Sequence, residues 1–304
     1  MNSNEIERQL PIYYEEMNTV AGKNNDKQII KLIVPDEYDQ FNEYIDLVNR
    51  KTKEPLKLQD DGVIISERLS KLLNVKEGDT ITIKDSNEYD REMKVTDITE
   101  MYMGHFIFMN KEAYEDIFNQ SYKTNANMVT LKDNSNENTE NQAIKFMDLT
   151  GVAGVVQNTT LINQIDTIVN SLDKIMMVLI VVAAMLAVVI LYNLTNINVS
   201  ERIRELSTIK VLGFFDKEVT MYIYRETLLL SAIGILVGYG LGEILHSYIL
   251  NAVPPDEVMF NPAIWYNCFI IPFIVVAVIT VVLGIVVNRR LRNVDMLEAL
   301  KSVD

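Results

Sequence analysis

Residues 175–191 read IMMVLIVVAAMLAVVIL, with no charged side chain and no proline. With Tyr192, Asn193 and Leu194 the run reaches about 20 residues, the length needed to cross a hydrocarbon core of about 30 Å. Ahead of it, Leu161, Ile165, Ile168, Leu172 and Ile175 recur at alternating spacings of four and three. That is an a/d seam, and it predicts a stalk helix over 159–174 that packs along a narrow stripe. Behind it, residues 196–215 read NINVSERIRELSTIKVLGFF, which is charged and amphipathic. One near-continuous helical segment thus joins a polar domain, a span at 175–194 and a charged membrane-proximal helix. Such a segment has the form of a lever through a bilayer.

Two further apolar segments meet the same length criterion, at 227–250 and 267–287. Their flanks give the orientation. Arg202, Arg204, Lys210, Lys217 and Arg225 lie between the first two spans, and Arg289, Arg290, Arg292 and Lys301 follow the third. The connection 251–266 has no Lys or Arg, only Asp256 and Glu257. The positive-inside rule therefore predicts a cytoplasmic 195–225 loop and C-terminus. With three spans, residues 1–170 then lie outside the cell.

The charge distribution agrees with two different halves. Of the net charge of −14, most comes from residues 1–170, which carry 18 Lys and Arg against 30 Asp and Glu. An acidic polar half lacks the basic footprint of nucleic-acid binding. The single cysteine, Cys268, lies in an apolar run and cannot form an internal disulfide.

Residues 1–27 are polar and acidic, with no basic stretch leading into an apolar one, so they read as a lead-in and not a signal peptide. From residue 28 to 158 the pattern is α+β. Strands are predicted at 28–34, 62–65, 80–84, 93–98, 106–109, 127–131 and 152–156, and helices at 38–50, 66–73, 110–118 and 141–149. Ser66 and Asn110 stand at helix N-cap positions. Strands and helices do not alternate strictly, which favours an α+β domain over a parallel α/β sheet.

Motifs for chemistry are few. No G-x-x-x-x-G-K-[ST] occurs, so the chain has no phosphate-binding loop of that kind. The polar run 133–141 fails as a calcium loop, because the turn glycine and the closing carboxylate positions hold Asn138 and Ile144. His105 and His246 have no metal-type partners in spacing, and no nucleophile–base pair stands out, so neither a metal site nor an enzyme is expected. Glu243 and His246, three apart near the outer end of the second span, read as residues reaching interfacial water. Gly234, Gly238 and Gly242 are four apart and form one small-residue face for close helix packing in lipid.

The helix predicted over 199–213 carries Val199, Ile203, Leu206 and Ile209 on one side. Glu201, Arg202, Arg204, Glu205 and Lys210 project elsewhere, and Leu212 and Gly213 close the segment. Residue types alone leave two readings open, a helix lying on the membrane surface and a docking element for a cytoplasmic partner.

At this point the chain resembles the FtsX/MacB-like family of ABC-transporter permeases. The resemblance rests on residues 199–226, VSERIRELSTIKVLGFFDKEVTMYIYRE. They are similar to the family pattern at Glu201, Arg202, Arg204, Glu205, Leu212, Gly213 and Glu226. The tail RRLRNVDMLEAL at 289–300 resembles the family's closing segment, and residues 60–85 resemble its extracytoplasmic core. The resemblance implies a permease subunit of the bacterial plasma membrane, in contact with lipid. It further implies pairing as a homodimer or with a second permease half, and partnership with a separate cytoplasmic ATPase subunit that binds the ATP. The helix 199–213 would dock that subunit, and the first span and its stalk would pass the movement to the 28–158 domain. The family's unit opens with a membrane helix ahead of the outer domain, which this sequence does not show, so a longer or split permease is expected. The rival reading is a membrane-anchored sensor or regulator whose outer domain binds a ligand or a cell-wall hydrolase. The short stretch after the third span favours the partner-driven device.

Overall fold

A computed structural model describes residues 5–22 and 26–292. The chain divides into two compact units. The first comprises Met1–Thr160 with Ile249–Pro262, the second Leu161–Tyr248 with Ala263–Asp304.

The first unit is built on a mixed sheet. Its strands are β1 (Ile6–Ala21), β2 (Asp26–Pro35), β3 (Val63–Ser66), β4 (Thr80–Lys84), β5 (Asp90–Thr99), β6 (His105–Phe108) and β7 (Ala126–Leu131). Among the described residues they run in the order β2-β6-β3-β5-β4-β1-β7, and β1 also pairs with β2. β1 and β2 form an antiparallel hairpin from Ala21↔Asp26 to Ile12↔Pro35. The N-terminal half of β1 pairs with β7, while its other end meets β4 only at Asn18↔Lys84. The sheet thereby curls into a ring closed on that side by one residue pair. β2–β6 and β3–β5 are parallel and the remaining pairs antiparallel, as an α+β domain permits.

Period-two alternation sends side chains to two cores. Ile30, Leu32, Val34, Val63, Ile65, Ile81, Ile83, Met93, Val95 and Ile107 fill one with Leu69, Tyr114 and Phe118. Leu10, Ile12, Ile33, Ile64 and Phe108 fill the other with Phe41 and Leu47. Four helices accompany the sheet: α1 (Tyr38–Phe41), α2 (Glu67–Leu73), α3 (Lys111–Phe118) and α4 (Asn136–Met147). Asn110 caps α3 as expected, its side chain accepting from the Ala113 N–H at 2.8 Å. Ser66 precedes α2 but its hydroxyl instead accepts from the Phe106 N–H at 3.1 Å, tying β3 to β6.

Several expectations are corrected. Residues 1–27 are not a lead-in, since 6–21 form β1, which pairs on both sides of the sheet. The helix expected over 38–50 ends at Phe41. Tyr44 and Ile45 reach the same core from a turn, and Val48 makes a bridge with Pro55. Residues 152–157 are irregular where a strand was expected, and α4 begins at Asn136 and ends at Met147, against the 141–149 expected.

The second unit is helical: α5 (Asn158–Glu201), α6 (Ile203–Val211), α7 (Asp216–Ala252) and α8 (Asn267–Arg292). Stalk and first span are one continuous helix, and the helix expected over 199–213 is divided between the end of α5 and α6 by a turn at Arg202. Residues 165–201, 224–252 and 267–289 are long and apolar enough to cross a membrane. The resembling tail at 293–300 lies outside the described residues.

Candidate functional site

The end of α5, α6 and the start of α7 gather around one apolar cluster. Val199, Leu206, Val219, Tyr224, Leu283 and Val287 are buried there, with Leu191, Ile209 and Ile279 packed against them. Val199, Leu206 and Ile209 are three of the residues whose spacing predicted the amphipathic face. Leu206 N–H donates to Arg202 O at 3.0 Å, so the turn at Arg202 interrupts the helix without releasing it. Arg202 Nη2 reaches Glu226 Oε2 at 2.9 Å, joining the start of the α6 segment to α7.

The turn from α6 to α7 is fixed from both sides. Gly213 takes φ +97°, a conformation that a β-carbon disfavours. Glu218 then accepts from the Phe215 N–H at 2.9 Å while the Phe215 carbonyl accepts from the Glu218 N–H, half of a reciprocal cap on α7. Held this way, the turn presents Val211, Leu212, Phe214 and Phe215, each more than half exposed, as an apolar tip. Glu201, at the end of α5, and Glu205, in α6, are exposed. The side chains of Arg204, Lys210 and Leu161 lie outside the described set.

Hydroxyl side chains sit in and next to this cluster in the same helices. Tyr224, Thr227 and Ser231 follow one face of α7, and among the described residues the Thr227 and Ser231 hydroxyls find no hydrogen-bond partner, nor does Asn198 Nδ2 on α5. Thr195 and Thr280 are buried and donate to their own helices, at Leu191 O and Val276 O. These polar positions inside apolar helices were not singled out from sequence. A charge count passes over them because none is ionisable.

The other candidate positions are not brought into this site. Ile168, Leu172 and Ile175 of the seam are exposed, and Ile165 is half-buried. Gly234, Gly238 and Gly242 have nothing within 4 Å of where a β-carbon would stand. Among the described residues, the glycine face and the Ile168–Ile175 part of the seam are thus left open. Glu243 is exposed and His246 half-buried. His105 is 1% exposed in β6, with neither ring nitrogen hydrogen-bonded, and its burial lowers its pKa. No group of three metal-ligating side chains occurs among the described residues.

Comparison with known proteins bears on the helical unit. Residues 177–299 match the family model described as FtsX-like permease C-terminal. No curated protein matches the chain. Among the solved structures similar to it are two extracytoplasmic domains. One is the extracellular domain of the noncanonic ABC-type transporter YknZ from Gram-positive bacteria, at 10% identity over 46% of this chain and 72% of that one, TM-score 0.28. The other is the periplasmic region of MacB from Actinobacillus actinomycetemcomitans, at 13% identity over 55% of this chain and 78% of that one, TM-score 0.29.

Proposed function

We propose that this chain, whose residues 177–299 match the FtsX-like permease C-terminal model, is the permease subunit of a bacterial ABC transporter driven by a separate cytoplasmic ATPase. The ATP is held by that partner. Docking falls to α6 and the turn after it, with Glu201, Arg202, Arg204, Glu205, Lys210, Leu212 and Gly213 as its residues. The ATPase cycle moves this end of the helices, and α5 carries the movement into the extracytoplasmic β-domain. The cargo is of the class such devices export or extract: peptide, antibiotic, lipid or lipoprotein. The chain works as a homodimer or with a second permease half. The seam from Leu161 to Ile175 and the glycine face at Gly234, Gly238 and Gly242 serve that pairing. The C-terminus and α6 are cytoplasmic in this reading, which the basic flanks support.

The observation that carries the reading is the built character of the α6–α7 turn. A buried cluster, the Arg202–Glu226 pair and the Glu218 cap hold four large apolar side chains in the open. Such a fixed, exposed apolar tip is the form of a protein-docking anchor.

A photoreactive residue at Thr208, followed by purification from native membranes, tests it. The expected product is a crosslink to a cytoplasmic ATP-binding protein. Glu205→Lys and Gly213→Val should each abolish stimulation of that ATPase while membrane insertion is retained. Crosslinks confined to lipid would favour the surface-helix reading, and a kinase-like partner would favour a sensor.

A further inference from the structure

The connection between α7 and α8 belongs to the β-domain unit, not to the helical one. From sequence, Pro254 and Pro255 read only as the end of a span. In the fold, the segment they begin is held at three places. Arg68 on α2 donates from Nε to Asp256 O at 2.7 Å and from Nη2 to Pro255 O and Asp256 Oδ1, both at 3.3 Å. Backbone pairing follows: Gly104 N–H donates to Glu257 O at 2.7 Å, and Met259 N–H to Tyr102 O at 2.9 Å. Met259 is buried, and Lys71 Nζ lies 3.4 Å from its sulfur. At the β1–β2 turn, a β-carbon on Gly22 would stand 2.8 Å from Asp256 Oδ2, so the carboxylate seats directly on that glycine.

The receiving surface is itself braced. Glu67, beside Arg68, accepts from Arg50 at 2.7 and 3.1 Å and pairs with Lys71 at 2.9 Å. Burial pushes the Glu67 carboxyl up, but Arg50 and Lys71 outweigh it and the net shift is down. A fork that satisfies two carbonyls and a carboxylate at once needs the planar guanidinium, and lysine cannot reproduce it.

We propose that this connection is a clasp, with Arg68 as its positioning residue, through which movement of α7 and α8 acts on the β-domain. The β-domain then receives two inputs, one through the continuous α5 and one through the clasp. The second enters at α2 and the β5–β6 link. The inference rests on the permease reading for its function, whereas the clasp itself rests on the contacts above.

The test uses the full chain in nanodiscs with its ATPase. Hydrogen exchange reports the clasp, read at the Gly104 and Met259 amides. An environment-sensitive fluorophore at Glu77→Cys, in a Cys268→Ser background, reports ATP-dependent movement of the β-domain. Arg68→Ala should speed exchange at both amides by about tenfold and remove most of the fluorescence change, while amides in the β2–β6 ladder stay protected. Arg68→Lys, which keeps the charge, should fall between. Unchanged exchange in both variants would overturn the clasp. Open amides with a full fluorescence change would overturn its role in transmission and leave the permease reading intact. A wild-type chain with no ATP-dependent change would overturn that reading, and the transmission role with it.

Discussion

Tyr224 packs its ring against Gly284, with ring carbons 3.4 Å from the position a β-carbon there would take. The contact brings α7 against α8 at the apolar cluster beside the α6–α7 turn. Gly284→Ala adds an ordinary van der Waals contact and a better helix former, so stability should stay within about 1 kcal/mol of wild type or rise. Gly284→Leu forces the ring aside and should cost about 1–3 kcal/mol. Thermal unfolding in detergent separates the two. Equal melting temperatures would show that the helices do not pack through this pair.

The Arg202–Glu226 pair has side chains 40% and 47% exposed. Its coupling energy should be about 0.2–1 kcal/mol and shrink as salt is raised. A double-mutant cycle with Arg202→Ala and Glu226→Ala measures it. If the pair instead matters for coupling to the ATPase, the charge-swapped double variant Arg202→Glu/Glu226→Arg should recover stimulation that Arg202→Glu alone loses.

Asp85 is 1% exposed and accepts from Arg91 at 2.8 and 2.9 Å and from the Asn87 and Tyr89 amides. Burial pushes its carboxyl up, yet Arg91 and the two amides bring it below the ordinary 3.8. A depressed carboxylate contributes stability that is present above pH 3.8 and is lost as pH falls through the folded value. Asp85→Ala strands Arg91 and should cost about 3 kcal/mol at neutral pH. Denaturant unfolding at a series of pH values should show part of the acid sensitivity below pH 3.8 disappearing in this variant.

His105 makes the opposite case. Burial lowers its pKa from 6.5; Glu257 and Asp256 pull it up, and Arg68 adds to the lowering. The fold therefore favours the neutral ring, and stability should fall as pH drops below 6.5, where the unfolded chain takes up the proton first. His105→Leu removes two unsatisfied buried nitrogens. It should be at least as stable as wild type at pH 7.5 and lose that part of the slope. An unchanged slope between pH 6.5 and 5 would mean that another group carries it.

Much of this architecture can be read from sequence because it rests on local periodicity. TITIK at 80–84 alternates in sequence and in burial, and the three apolar helices announce themselves by length alone. β1 is hidden for a physical reason. Its period is disturbed by Pro11 and by Glu15, a buried acid whose carboxylate accepts from the Tyr13 hydroxyl and the Ser86 amide. A buried carboxylate with its partners looks in sequence like a surface one. Tyr44 and Ile45 imitate a helix by spacing while reaching the core from a turn. The clasp is the hardest to see, since Arg68 and Asp256 are 188 positions apart and neither has a local signature. From the end of α5 to α7, the apolar spacing of Val199, Leu206 and Ile209 is legible, but the hydroxyls of Tyr224, Thr227 and Ser231 are not, because polarity without charge barely disturbs a hydropathy profile.

The order of synthesis gives the clasp another meaning. A ribosome makes the strands of the β-domain first, then α5, α6 and α7, and only afterwards the segment that seats on Arg68 and Gly22. Until that segment arrives, Tyr102 O and Gly104 N–H lack their backbone partners and the acceptors for the Arg68 fork are missing. The domain is thus completed by a piece made only after α7. A chain that ends short of residue 256 therefore leaves the Arg68 guanidinium and the Gly104 amide without these acceptors, a surface the longer chain covers.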